Sequence, residues 1–410
     1  MIDFQKNILK NGLTVLTHAD TSTPLVTFGV LYKVGSRNED AQHTGFAHLF
    51  EHLMFGGPPN IPDYDTPLQN VGAENNAFTT NDYTFYYITL PANNLETAFW
   101  IEADRMNELA FTQESLDVQR SVVIEEFKQR CLNVPYGDSE HLVRDLSYTV
   151  HPYKWPTIGA RVEHIANATL DDVKSFFYSH YAPDNAIVVV AGNIDEEKTF
   201  RLAEKWFGGI SRQKIVTEIV AEPVQTARRE LTVSRKVPAK KITMAYHMGG
   251  RVSADYYVTD IVTDLLANGA SSRITQNLVK RDHLISDGNA YILGSVDPGL
   301  ICMTATLLPG VGFDKVETAL RTERLDIING HFSDSEIQKI KNKSEADKVY
   351  EEIDLMSKAI NLALFEMIGN VDLINTESEI YNRVTRDDIC TAMKRICTSE
   401  NESVVFYNND

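Results

Sequence analysis

The chain predicts an α+β fold in two related domains, on three observations. Its 410 residues exceed what one hydrophobic core usually organises, and 43% hydrophobic with 23% charged residues is enough to bury large cores without staples. Strand-like and helix-like stretches follow one another in the first half, and the same order returns in the second, as duplication would produce. Short polar turns at Lys10-Asn11-Gly12 and Asn81-Asp82 sit between β-rich runs, which is hairpin chemistry.

The elements follow in order. Ile8 to His18 reads as a hairpin-like opening, and the β-branched run Leu25 to Val34 as a core strand ended by Gly35-Ser36-Arg37. A helix starts at Thr44 or Gly45, with Phe46, Leu49, Phe50 and Leu53 as its apolar stripe, and Gly56-Gly57-Pro58-Pro59 stops it. Residues 75–80 and 83–90 form two strands around Asn81-Asp82. Leu95 to Leu109 is helical, and a longer helix runs from about Thr112 to Cys131 behind an acidic first turn. Thr169-Leu170-Asp171-Asp172 caps a further helix, and Ala186 to Ala191 is a buried strand.

The pattern loosens between Arg212 and Arg229, which places a linker at 212–229 between a first domain, 1–211, and a second, 230–410. In the second half, residues 230–233, 241–246, 301–308 and 403–407 read as strands. Ala254 to Leu266 and Ser333 to Ile368 read as helices, with the turn Asn268-Gly269-Ala270-Ser271-Ser272 between them.

Charge and cysteines exclude several classes. A net charge of −18 disfavours nucleic acid and anionic membranes as partners. Cys131, Cys302, Cys390 and Cys397 are scattered without a C-x-x-C, so neither a disulfide framework nor a structural zinc site is expected. The N-terminal residues lack an apolar or Arg-rich targeting pattern, and no apolar run reaches spanning length, so the expected location is cytoplasmic.

The chemistry centres on His48-Leu49-Phe50-Glu51-His52. Positions i and i+4 share a helix face, so two imidazoles can converge on one metal ion with Glu51 beside them to work on a metal-activated water. A catalytic zinc needs a third protein ligand, and the adjacent Glu125 and Glu126 on the long helix are both candidates. Only one can face the motif, because neighbours on a helix diverge by about 100°. The other histidines show no ligand spacing.

With these residues in view, the chain resembles the pitrilysin-type inverzincin zinc metallopeptidases. Within them it is similar to the zinc-bearing subunits of heterodimeric members, such as the β subunit of the mitochondrial processing peptidase. The matching stretches are residues 35–39, 45–55, 76–79, 151–153 and 181–185, with a weaker match at 268–273. The resemblance implies that each domain is a mostly antiparallel β-sheet packed with helices, the two forming half of a clamshell chamber. It implies Zn²⁺ held by His48, His52 and Glu126, Glu51 as the catalytic base, and a second domain without a metal site. Gln119 stands where relatives carry a supporting glutamate. Asn76, Ala77 and Phe78 would bind substrate by holding a peptide backbone along an edge strand.

The implied function is zinc-dependent hydrolysis of peptides or unfolded polypeptides by a zinc metalloendopeptidase. Active relatives also use an Arg and, seven residues later, a Tyr. Lys280 and Asp287 occupy those positions here and cannot substitute for a guanidinium fork and a phenol. The expected partner is therefore a related subunit that lacks the zinc motif and supplies both, with a homodimer as the other arrangement. A non-catalytic scaffold or a peptide-binding chaperone is the alternative.

Overall fold

The computed structural model describes residues 1–61, 63–213, 218–294 and 296–410. Two compact units organise them. The first contains Met1–Lys128, Trp155–Ile219 and Val349–Thr376, and the second Gln129–Lys154, Val220–Lys348 and Glu377–Asp410.

The first unit is built on six strands: β1 (Gln5–Ile8), β2 (Thr14–Ala19), β3 (Leu25–Tyr32), β4 (Glu74–Thr79), β5 (Thr84–Pro91) and β6 (Ala186–Gly192). Their order is β1-β2-β6-β3-β5-β4, antiparallel except for β2 beside β6. The second unit has β7 (Arg229–Arg235), β8 (Lys241–His247), β9 (Ile285–Leu293), β10 (Leu300–Leu307) and β11 (Glu402–Asn409). Their order is β7-β11-β8-β10-β9, antiparallel except for β7 beside β11. Apart from β1, the two topologies coincide strand for strand, first strand parallel to last. Mixed sheets packed by helices make this an α+β fold.

Local detail repeats too. Thr169 and Asp172 form a capping box before β6, as Thr385 and Asp388 do before β11. Asn185 Nδ2 donates to His180 O at 2.8 Å and Lys33 O at 3.4 Å, while Asn401 Nδ2 donates to Ile396 O at 2.7 Å and His247 O at 2.9 Å. Each asparagine ties the strand it precedes to the preceding helix and to the end of the neighbouring strand.

The units are not contiguous halves, which is where they depart from the division 1–211, 212–229 and 230–410. The central strands of each sheet are buried on both faces, and one face is covered by a helix from the other half of the chain. In β6, Val188 and Val190 enter the main core while Ile187 and Val189 point the opposite way. The helix Leu355–Met367 packs over β3 and β6 on that side. It is tied down by Lys358 to Asp20 at 2.9 Å and Glu366 to Lys6 at 2.6 Å. In the second unit the helix Ser139–Ser147 lies on β7, β8 and β11, closing a small core of Val143, Tyr148, Tyr153, Ala245, Leu300 and Val405. Accordingly, the helical run expected over 333–368 is two helices, Asp334–Glu351 and Leu355–Met367, broken before the Asp354 cap. Residues 214–217 of the expected linker lie outside the described residues.

All four cysteines are free thiols. Burial pushes Cys302 and Cys397 up to about 12, whereas Cys390 is only half-buried. A thiol reagent is expected to modify Cys390 first and to reach Cys302 and Cys397 only after unfolding, as peptide mass mapping will read. Rapid labelling of Cys302 in the folded protein would contradict this packing.

Candidate metal centre

The motif helix is Phe46–Met54. Phe46, Ala47, Leu49, Phe50, Leu53 and Met54 are buried, which leaves His48, Glu51 and His52 on the remaining face, half-buried. Phe50 stacks on Phe177 and packs against Tyr181, so the inward face is held by aromatic contacts. Gly45 opens the helix with φ +86°, and a Cβ there would sit 2.8 Å from Ile165 Cδ1 and 2.9 Å from Ile158 O. Both its conformation and its close approach require glycine.

The helix Gln113–Phe127 crosses the motif helix. The Thr112 hydroxyl caps it by accepting from Ser115 N at 3.1 Å. Leu116, Val123 and Phe127 are buried, and Glu126 turns inward beside them. Glu125 points out to solvent and pairs with Lys128 at 2.6 Å. Between the two carboxylates that the chain offers, Glu126 is therefore the one brought to the histidines.

His48, His52 and Glu126 place one ligand atom each within 4.8 Å of one another, the one such cluster among the described residues. His48 Nε2 lies 3.1 Å and His52 Nε2 3.5 Å from Glu126 Oε2. Ligands at about 2.0–2.2 Å in a tetrahedron stand about 3.3–3.6 Å apart, so the spacing suits a zinc ion. Two imidazoles and one carboxylate are also its usual donor set. Burial opposes a charge on His48, but Glu126 and Glu51 outweigh it and lift His48 to about 9. Burial and the neighbouring His48 hold His52 below its ordinary value. One proton thus sits where a cation would replace it.

Glu51 Oε2 is 3.5 Å from His48 Nδ1 and accepts the Thr79 hydroxyl at 2.6 Å. Thr79 ends β4, whose other side is unpaired among the described residues. Asn76 and Ala77 lie along this exposed edge, and Phe78 packs on Tyr83 and Phe85. Gln119 neighbours His52 and slightly offsets the lowering of its value. Thr79 carries no role in the sequence reading. Its signal is its place directly after Asn76-Ala77-Phe78, where a strand end meets the motif helix.

Beneath the helix lies a second feature that periodicity does not reveal. Arg105 is fully buried and makes two hydrogen bonds to Glu102, at 2.6 and 2.7 Å. Tyr64 donates to Glu102 at 2.9 Å, and the guanidinium lies over the Tyr86 and Tyr64 rings at 4.4 and 4.8 Å. It also reaches Met54 O, at the end of the motif helix, at 3.5 Å.

The chain is similar to known proteins over most of its length. A family model described as insulinase (peptidase family M16) matches residues 14–145, and one described as the peptidase M16 inactive domain matches residues 167–344. The zinc protease PqqE of Helicobacter pylori is 30% identical over 346 residues, 83% of this chain and 78% of that protein. The crystal structure of a protease from Helicobacter pylori has a TM-score of 0.94 at 26% identity, with 100% of both chains covered. The periplasmic protease PqqL from Escherichia coli has a TM-score of 0.81 at 18% identity, covering 100% of this chain but 48% of that one. Among the described residues no helix is long and apolar enough to cross a membrane. With a zinc protease at this identity over most of its length, the chain belongs to the M16 family of insulinase- and pitrilysin-like peptidases.

Proposed function

We propose that the chain is the zinc-bearing subunit of an M16 endopeptidase that hydrolyses peptides or unfolded polypeptides. The observation that carries this reading is the convergence of His48, His52 and Glu126 within 4.8 Å, with Glu51 beside them and restrained by Thr79. Bound there, zinc would polarise the scissile carbonyl and acidify water. Glu51 takes the proton from the attacking water and returns it to the leaving amine. Thr79 keeps Glu51 from rotating away. Gln119 neighbours His52 but, being neutral, adds less basicity to that ligand than a carboxylate would. The open edge of β4 at Asn76, Ala77 and Phe78 takes the peptide as an added strand, its main-chain hydrogen bonds indifferent to sequence.

A partner completes the site. Lys280 and Asp287 stand where an arginine and a tyrosine would contact substrate, and PqqL, about twice this length, covers the chain in half of itself. The proposed partner is a related chain that carries the Arg and Tyr and lacks the zinc motif. The purified chain alone is expected to bind one zinc and cleave an unstructured fluorogenic peptide poorly. Adding the related chain should raise kcat/KM by about 10²-fold or more, the scale expected for restored transition-state contacts. Full activity of the isolated monomer would refute the shared site.

A further inference from the structure

The motif helix begins on a glycine and has no side-chain cap of its own. Its first N–H groups would be orphans in a buried setting. Glu39, six residues upstream and 6% exposed, accepts both: Oε2 from Gly45 N at 2.9 Å and Oε1 from Ala47 N at 2.8 Å. Burial pushes this carboxyl up to about 8, and the two amide donors pull it down. The hydrogen bonds bind the helix end from outside, in place of a local cap.

The segment that carries Glu39 is itself anchored to the end of the edge strand. Ser36 N donates to Thr80 O at 3.3 Å and Arg37 N to Asn81 O at 2.9 Å. Asn81 Nδ2 donates to Ser36 Oγ at 2.9 Å, and Arg37 pairs with Asp82 at 3.4 Å. A Cβ on Gly35 would stand 2.5 Å from Thr80 O and Asn81 O, so only glycine allows this approach. One residue before Thr80, at the end of β4, Thr79 holds Glu51. The contacts close a ring from β4 through Thr79 and Glu51 to the helix, and back through Glu39 to residues 80–81.

We propose that residues 35–39 are a strut that sets the metal helix against the substrate strand, and that Glu39 is the positioning residue through which it acts. The inference rests on reading His48, His52 and Glu126 as a zinc site. Glu39 touches neither metal nor substrate. Its two hydrogen bonds fix how far the helix slides along its axis, and so where the imidazoles stand relative to Glu126. A shift of a few tenths of an ångström there alters the ligand geometry while the fold persists.

The test is Glu39→Gln, which keeps the size but presents one acceptor and an N–H₂ group to two N–H donors. Zinc affinity, read by competition with a chromophoric chelator, is expected to fall by about 10-fold or more, as for other residues that orient ligands. The visible spectrum of the Co²⁺-loaded protein should shift. With the proposed partner present, kcat should fall while KM changes by less than about twofold. Asp40→Asn, at the exposed neighbour, should change none of these. A folded Glu39→Gln chain with wild-type zinc affinity and Co²⁺ spectrum overturns the strut. If Glu39→Gln does not fold, Glu39→Asp, one methylene short of both donors, is read by the same two measurements. A wild type that binds zinc but cleaves nothing removes the peptidase reading, and the affinity difference then judges the strut alone.

Discussion

Glu51→Gln is expected to bind one zinc per chain as the wild type does and to hydrolyse peptide about 10²–10⁴-fold more slowly, the range for loss of a general base. The amide is isosteric, and its carbonyl can still accept the Thr79 hydroxyl that now donates to Glu51 Oε2 at 2.6 Å. The position of the side chain is therefore preserved and only its ability to take a proton is lost. Glu126→Ala should behave in the opposite way. It removes the one anionic group facing both imidazoles, 3.1 and 3.5 Å from their Nε2 atoms, so stoichiometric zinc should be lost and activity with it. Metal analysis of the dialysed proteins beside a peptide assay separates the two roles. Zinc retained in full by Glu126→Ala, or activity unchanged in Glu51→Gln, would each remove a leg of the proposed mechanism. Thr79→Val is the intermediate case: zinc retained and kcat reduced about 10-fold, because Glu51 is present but no longer held.

The largest loss of stability is expected at Arg105. Its guanidinium is fully buried and lies between the Glu102 carboxylate and the Tyr64 and Tyr86 rings. Replacing it with Met leaves Glu102 buried without its counter-charge, which should destabilise the first unit by about 3–5 kcal/mol. Replacing both partners, Arg105→Met with Glu102→Leu, removes two desolvated charges together and should recover most of that loss, less the hydrogen bond from Tyr64. Urea unfolding midpoints of the three proteins measure the cycle. A single variant within about 1 kcal/mol of wild type would mean that the ion pair contributes little beyond its desolvation cost. Because Arg105 reaches Met54 O, the single variant should also loosen the C-terminal end of the motif helix, detectable as faster amide exchange there.

Much of the site is legible before folding because its geometry is local. His48 and His52 share a face through helical periodicity alone, and the glycine and proline run after Phe55 ends the helix where the turn chemistry says it should. The helix caps at Thr112 and Thr169 and the strands β3, β5, β6 and β8 follow from short-range pattern in the same way. The strand β9 is less legible. Its exposed Ser286, Asp287 and Asn289 belong to a sheet edge and break the apolar alternation that marks a strand. The helix Leu373–Arg383 buries only the adjacent Leu373 and Ile374, so no apolar stripe marks it. The helix Arg386–Ile396, by contrast, carries Ile389, Ala392, Met393 and Ile396 at helical spacing behind the Thr385–Asp388 capping box, a signal that the expectations above omit.

The chain by itself determined which side chains could form a metal site, because ligand type and the i, i+4 spacing are properties of a single helix. It also determined that two similar α+β units would form, since each half has its own strand and helix pattern. Only the tertiary structure decided that Glu126 rather than Glu125 meets the histidines, a choice set by which face of the helix Gln113–Phe127 packs inward. It alone joined Thr79 to Glu51 and Glu39 to the motif helix, through hydrogen bonds between separate elements. It alone gave each unit a helix from the other half of the chain, Leu355–Met367 to the first and Ser139–Ser147 to the second. The central strands of both sheets are buried on two faces, and each sheet finds the cover for one face in residues far along the chain.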